Sequence, residues 1–284
     1  MKKKIIIFGS AGQLGSCIKK KIKKKNFSII SLNSLNGDIS NFEKIKNIFL
    51  KHRPNIVVNC AAMTDVDLCE KKKKLSYLIN TLAVKNLSEQ CLKYKSLLIH
   101  FSTDYVFNSS KKIYFKENAA KKPINYYGKC KLESEKEVLK SGCNYLIFRI
   151  SWLYSDSKKN FLNFFTNSIK KNKKISIVRG YGSPTSTRMV AKFMNLFLQK
   201  NNLASFKKIF NLTCDGLASW ESVFYYVLKK TKKDKKKIQF KLVDKIRGWK
   251  AKRPFCSKLS CKKIEKFLTI KTPHWKKELN YYLN

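Results

Sequence analysis

Ile5-Ile6-Ile7-Phe8-Gly9-Ser10-Ala11-Gly12-Gln13-Leu14-Gly15 stands at the head of the chain and decides its fold. Four apolar residues make a short buried strand, three glycines follow, and Leu14, Ile18 and Ile22 then recur at helical spacing. A strand, a glycine turn and a helix in that order place open N–H groups at a helix N-terminus, where the peptide dipoles favour an anion such as a pyrophosphate. With 10 Gly in 284 residues, the spacing G-x-x-G-x-x-G arises by accident only about 0.01 times. Gly9, Gly12 and Gly15, with Gln13 and Leu14 between them, are therefore candidate ligands of a dinucleotide.

Outward from this turn the same alternation continues. Residues 27–32 predict a second strand, and 41–51 a helix with Phe42, Ile45, Ile48 and Phe49 on one face. Pro54 breaks that helix ahead of a buried strand at 56–58. A helical pattern at 75–94, a strand at 97–101, a helix at 127–139 and a strand at 145–150 follow. Strands alternating with helices in this way imply an α/β fold, a Rossmann-type doubly wound parallel sheet. Beyond residue 152 the pattern loosens into helices at 161–171, 187–199 and 219–230, strands at 175–178 and near 209–212, and a basic, strand-poor tail. There is no internal repeat.

The charge is extreme: 62 Lys+Arg against 18 Asp+Glu leave +44, a field that promotes adventitious adhesion to polyanions. Only six of the cations are Arg, the residue suited to bidentate base and phosphate contacts, and the Lys are spread from Lys2 to Lys277. A compositional drift explains this better than a selected patch, so no specific nucleic-acid binding is expected. The run Lys229 to Lys237 reads as a solvated helix end and loop. The nine Cys contain no C-x-x-C pair, which fits free thiols in a reducing cytoplasm. Met1-Lys2-Lys3-Lys4 ahead of four apolar residues imitates a signal peptide, but the apolar run is shorter than the roughly 7–15 residues such a segment needs. No window approaches the roughly 18 apolar residues of a membrane span.

Several side chains have places where chemistry is expected. Asn33, at the tip of the second strand, stands where an Asp would favour the ribose of NAD and repel a 2′-phosphate, so its neutrality leaves NADPH acceptable. Asp38 either accepts from an adenine amino group or caps the helix at 41–51. Asn59-Cys60-Ala61-Ala62-Met63-Thr64 closes the strand at 56–58 with small residues, as the passage of a cofactor requires. Y-x-x-x-K occurs four times, starting at Tyr127, Tyr154, Tyr225 and Tyr226, against about 2.6 expected by chance, so the motif alone carries nothing. Only Tyr127 and Lys131 begin a helix that follows a strand ending Ser102-Thr103-Asp104-Tyr105. At i and i+4 they share a face, and the ammonium is expected to lower the phenol from about 10 toward neutrality. Tyr127 could then protonate a carbonyl oxygen as hydride reaches its carbon, with Thr103 bonded to the same oxygen.

Taken together, Gly9-x-x-Gly12-Gln13-x-Gly15, Asn59-x-Ala61-Ala62-x-Thr64-x-Val66-Asp67, Ser102-Thr103-Asp104-Tyr105-Val106-Phe107, Tyr127-Gly128-x-x-Lys131-x-x-x-Glu135 and Arg149-x-Ser151-Trp152-x-Tyr154 resemble the dTDP-4-dehydrorhamnose reductase family of extended short-chain dehydrogenase/reductases. Gly182-x-Pro184-Thr185, Arg253-Pro254-x-x-Ser257-x-Leu259-x-x-x-Lys263 and Pro273-x-Trp275 extend the resemblance over nearly the whole chain.

The resemblance implies a Rossmann domain at 1–151 and 186–212 and a smaller C-terminal substrate-binding lobe at 152–185 and 213–284. It implies reduction of the C4 ketone of dTDP-4-dehydro-L-rhamnose by NADPH or NADH in the cytoplasm, supplying dTDP-L-rhamnose for lipopolysaccharide O-antigen and other cell-surface polysaccharide. Tyr127 would be the proton donor, Lys131 would hold the nicotinamide ribose and Thr103 would tune the acid. Gly12, Gln13 and Leu14 would meet the pyrophosphate, Asn33, Asp38 and Ile39 the adenosine, and Ala62, Met63, Thr64 and Phe101 the nicotinamide side. Thr103, Asp104 and Trp152 would touch the sugar nucleotide. The chain departs from the family at Arg179-Gly180, where Asp-Gln is usual. Some members form homodimers around magnesium held by Glu; the matching positions here are Cys17 and Arg188, so no metal is expected and the oligomer stays open. Another sugar-nucleotide reductase or epimerase would share the fold and the catalytic pair. A non-catalytic relative such as the regulatory β subunit of methionine adenosyltransferase would share the fold and bind NADP(H) without turnover.

Overall fold

In the computed structural model residues 2–22, 26–156, 160–199, 206–231 and 240–283 are described. Strand β1 (Lys3–Phe8) lies between β2 (Phe27–Leu32) and β3 (Ile56–Asn59), and β4 (Leu97–Thr103), β5 (Asn144–Ile150) and an edge strand at Lys207–Asn211 extend the sheet beyond β3. All five pairings are parallel. From β1 the chain runs through helix α1 (Gln13–Lys21) to β2 on one side, then through helix α2 (Phe42–His52) to β3 on the other. A sheet whose connections diverge at neighbouring strands opens a crevice at their carboxyl ends.

Both faces of the sheet are covered, which is why its central strands are apolar without alternation. Ile5 and Ile7 pack with Leu14 and Ile18 of α1, with Ile22 at its C-cap, and with Val190, Phe193 and Phe197 of the helix Thr187–Leu198. Ile6 and Phe8 pack on the opposite face with Ile45 and Phe49 of α2 and with Val84, Leu87 and Cys91 of the helix Ala83–Lys93. The pattern expected as one helix at 75–94 forms as Lys73–Tyr77, a π-helical turn at Leu78–Leu82, and Ala83–Lys93. Such wide turns cluster at functional sites. Here the turn buries Asn80, which clamps the backbone of Met63: its Oδ1 accepts from Met63 N and its Nδ2 donates to Met63 O, both at 3.0 Å.

The lobe is built on three two-stranded pairings: Leu153–Tyr154 with Thr185–Ser186, Tyr181–Gly182 with Ala218–Ser219, and Ile175–Val178 with Phe240–Val243. In the tail, helices form at Lys262–Leu268 and Trp275–Leu283 where the sequence suggested no helix, because few apolar anchors (Ile264, Trp275, Leu279) stand among the lysines. Most of the run Lys229 to Lys237 lies outside the described residues; Lys229 and Lys230 close the helix Trp220–Lys230, where cations suit the dipole. Among the described residues no helix is long and apolar enough to cross a membrane.

Candidate active site

The crevice beyond β1, β3 and β4 is a cleft of about 440 Å³. The sequence-predicted residues Gly12, Gln13, Leu14, Ala62, Thr64, Phe101, Thr103, Asp104, Tyr127, Lys131 and Trp152 all line it. Gly9 and Gly15 stand beneath. Gly9 takes φ +71°, and a Cβ on Gly15 would fall 2.3 Å from the Gly9 carbonyl oxygen, so the helix can start this close to β1 only without side chains. No side chain caps the N-terminus of α1 at Gly12, so its first turn is left for an anion at the cleft.

Besides Gly9 and Gly15, four expected ligands lie outside the lining. Met63 is buried, its backbone held by Asn80. Asn33 follows directly on β2, its Oδ1 accepting from Leu35 N and Asn36 N. It still borders the glycine turn, because Ser10 N donates to Leu32 O at 2.9 Å. Asp38 is exposed and accepts from Ser40 N and Oγ. It does not cap α2; Asn41 does, accepting from Lys44 N at 2.9 Å. Ile39 is a core residue beside Leu32 and Ile45.

Tyr127 lies in the first turn of the helix Tyr126–Lys140, which Asn125 caps by accepting from Gly128 N. Thr103 ends β4 close to the Tyr127 phenol. Burial nevertheless pushes the phenol above its ordinary range, opposed by Thr103 and reinforced by Asp104. The lowering expected from Lys131 is absent because that side chain turns the other way: Lys131 Nζ lies 3.0 Å from Nε2 of the fully buried His100. Burial holds Lys131 down at about 8, opposed by Glu135. Asp104 is pushed up to about 7 by burial, although Ser257 Oγ donates to its Oδ2 and Thr103 Oγ1 to its Oδ1.

One turn beyond Lys131, Glu135 is pinned by Arg149 of β5 through two bonds of 2.9 and 2.7 Å and accepts from Ser102 Oγ of β4. A buried, bidentate charge pair of this kind fixes orientation. The helix Tyr126–Lys140 is thereby tied to the two strands that end at the cleft.

A second cleft of about 630 Å³ adjoins the first and shares Tyr105, Trp152 and Trp220 with it. Trp152 takes φ +42° and lies flat on Trp220, ring centroids 3.6 Å apart and planes within 7°. Gly182 makes room for the Trp152 ring; a Cβ there would sit 2.7 Å from it. Phe161, Phe164 and Phe165 add apolar surface, while Lys173, Lys174, Arg179 and Arg253 bring positive charge. Aromatic faces beside cations suit a nucleobase and a diphosphate. Arg179, one of the two departures, reaches Asp244 at 2.8 Å. Arg253 is bonded to Asp67, on the helix Val66–Lys71, at 2.6 Å.

Sequence reasoning missed His100 and Trp220. A histidine inside an apolar central strand was one available signal, and a tryptophan directly after a Ser helix cap was the other. Arg188 pairs with Glu278 at 2.7 Å, and among the described residues no group of three metal-ligating side chains forms.

The model of the RmlD substrate binding domain family matches residues 2–284. The dTDP-4-dehydrorhamnose reductase of Escherichia coli is 27% identical over 294 residues, covering 99% of this chain and 97% of that protein. Among solved structures, the dTDP-4-dehydrorhamnose reductase of Bacillus anthracis in complex with NADP superposes with a TM-score of 0.92 at 26% identity, covering 99% of each chain. That of Clostridium acetobutylicum gives 0.89 at 32% identity, covering 99% of this chain and 98% of the other. The Rossmann-type fold extends to a UDP-glucose 4-epimerase of Thermotoga maritima, TM-score 0.80 at 18% identity.

Proposed function

The chain belongs to the RmlD substrate binding domain family, and from that premise we propose that it is an NAD(P)H-dependent oxidoreductase that reduces the C4 ketone of dTDP-4-dehydro-L-rhamnose to dTDP-L-rhamnose. The observation that carries the proposal is that Thr103, Tyr127 and Lys131 line the same cleft as the uncapped glycine turn.

The turn fits a dinucleotide: its backbone admits no Cβ at Gly9 or Gly15, and its helix terminus offers N–H groups to a pyrophosphate. Gly12, Gln13 and Leu14 would hold it, with Asn33, Asp38 and Ile39 toward the adenosine and Ala62, Met63, Thr64 and Phe101 toward the nicotinamide, which when bound supplies hydride to the ketone carbon. Tyr127 gives its phenolic proton to the ketone oxygen: the phenol O–H breaks, the alcohol O–H forms, and a phenolate remains. Burial, which raises its pKa, keeps the phenol protonated through neutral pH, so the proton is at hand for the ketone oxygen. Lys131, one turn on and also lining the cleft, would hold the nicotinamide ribose. The sugar nucleotide would lie in the adjoining aromatic cleft, against Trp152 and Trp220 and beside Asp104.

We place the reaction in the cytoplasm, in keeping with nine free thiols, with Rossmann domain 1–151 and 186–212 and lobe 152–185 and 213–284. The test is oxidation of NADPH by the purified protein, with substrate generated enzymatically in the cuvette. Tyr127→Phe is expected to keep cofactor binding while kcat falls by about 10²-fold or more. Near-normal turnover in that variant would overturn the assignment of Tyr127. Silence from folded, NADPH-binding wild type would point to another sugar nucleotide or to a regulatory subunit.

A further inference from the structure

His100 is buried in the middle of the sheet and takes no part in the steps above, yet both its ring nitrogens have polar neighbours. Asn59 Nδ2, at the carboxyl end of β3, lies 3.3 Å from His100 Nδ1. Lys131 Nζ lies 3.0 Å and Ser134 Oγ 3.3 Å from Nε2. The outer bonds decide where the imidazole proton sits. Asn59 Oδ1 is taken by the N–H of Ala61 at 3.0 Å, so its amide N–H faces Nδ1, which has to accept. A neutral imidazole that accepts at Nδ1 carries its proton on Nε2. Ser134 Oγ spends its own proton on the Lys131 carbonyl at 2.7 Å and keeps a lone pair for that Nε2–H. At 3.0 Å one of the two nitrogens accepts, and with the imidazole proton on Nε2 that is the unprotonated Lys131 amine through its lone pair, which leaves its N–H groups to point toward the cleft.

We propose that His100, with its tautomer set by Asn59, is a positioning residue for Lys131: by presenting Nε2–H to the amine it turns the lysine donors away from the sheet and toward the cofactor and Tyr127. This rests on the role given to Lys131 above. The other groups near the amine are Glu135, already paired with Arg149, and Cys130 on the same helix, with Tyr127 one turn before. Burial, and next the Lys131 charge, hold His100 well below the ordinary histidine range, so the ring stays neutral at working pH.

The experiment reverses the tautomer and reads Lys131 directly, without turnover. In Asn59→Asp the carboxylate accepts from Ala61 N–H and from His100 Nδ1–H, so Nε2 gains a lone pair for the Lys131 ammonium. Isotope-edited NMR of lysine side chains, with the Lys131 signal identified by its loss in Lys131→Met, gives the titration midpoint. We expect Asn59→Asp to raise it by about one pH unit or more, and Asn59→Asp combined with His100→Phe to lose most of that rise. An equal rise in the double variant means that the new carboxylate acts by charge alone and overturns the proposal, as does an unmoved midpoint in the single variant. Should Asn59→Asp fail to fold, His100→Gln replaces it: its amide oxygen can accept from the ammonium, the midpoint is expected to rise, and an unmoved value overturns the proposal. Failure of the reductase assignment would show separately, as wild-type protein that does not oxidise NADPH.

Discussion

Asp104→Asn should stabilise the protein, and by more the higher the pH. The carboxyl is buried at the junction of sheet and lobe, and its pKa is raised from 3.8 to about 7. A carboxyl raised in this way holds a proton in the folded state that the unfolded chain releases, so stability is lost as pH climbs from 3.8 toward 7. Each pH unit in that window costs about 1.4 kcal/mol, which amounts to about 2 kcal/mol at about pH 5 and about 4 kcal/mol at about pH 8. The amide in Asp104→Asn never ionises and escapes the whole cost. Replacing the carboxylate also turns the Ser257 hydroxyl from donor to acceptor, but that exchange carries no proton and offsets both conditions equally. The pH-dependent part is thus isolated in the difference between wild type and variant. For a chain of this length the extra 2 to 3 kcal/mol between the two conditions corresponds to a widening of the Tm gap by about 5 °C. Scanning calorimetry across this range measures it. Curves for the two proteins that run parallel with pH would mean that Asp104 ionises like an ordinary surface carboxyl, and the reasoning from burial would fail.

Gly15→Ala puts a methyl against the Gly9 carbonyl, backbone that cannot yield, and should weaken NADPH by at least about tenfold in a fluorescence titration; Gly180→Ala, with nothing nearer than 3.6 Å, should not. Arg149→Met strands Glu135 and Ser102 in the core and should cost about 3–5 kcal/mol in urea unfolding. Lys136→Met breaks a pair of the same 2.7 Å length that is about half exposed, and should cost about 1 kcal/mol or less. Because Asn33 is neutral, NADPH should be used at least as well as NADH; a strong NADH preference in kcat/KM would contradict this.

The first strand, turn and helix were legible because the signal is local: Ile5–Phe8, three glycines and Leu14, Ile18 and Ile22 lie within eighteen residues. The Thr103, Tyr127 and Lys131 trio was legible through its helix and strand context. The direction of the Lys131 side chain was not, since the i, i+4 rule places it on the face of Tyr127 and says nothing of His100, thirty-one residues away on another strand. Trp220 pairs with Trp152 across a still longer separation, through a left-handed backbone at Trp152 that sequence does not announce. Asp38 looked like a helix cap because it precedes a helix, but three residues of spacing gave that place to Asn41. The tail helices hid because each buries only one or two apolar residues among lysines.

The two walls of the site are held by different physics, and this bears on where the chain can vary. Ser102, Glu135 and Arg149 are bonded together inside the core, and they fix Thr103 at the end of β4 against Tyr127 and Lys131 on the helix. A reacting constellation supported from rigid elements keeps its geometry whatever happens at the rim. The lobe side has no such pin at Arg179, whose partner Asp244 is exposed and joined by a pair half open to solvent. An exposed pair of that kind contributes about 1 kcal/mol or less, so exchanging the residues at 179 and 180 alters charge at the aromatic cleft without disturbing Tyr127. Under the proposed function, selection between sugar nucleotides can therefore drift at this connection between Ile175–Val178 and Tyr181–Gly182 while Thr103, Tyr127 and Lys131 stay fixed. The same division explains how Arg179-Gly180 stands beside an intact Thr103, Tyr127 and Lys131.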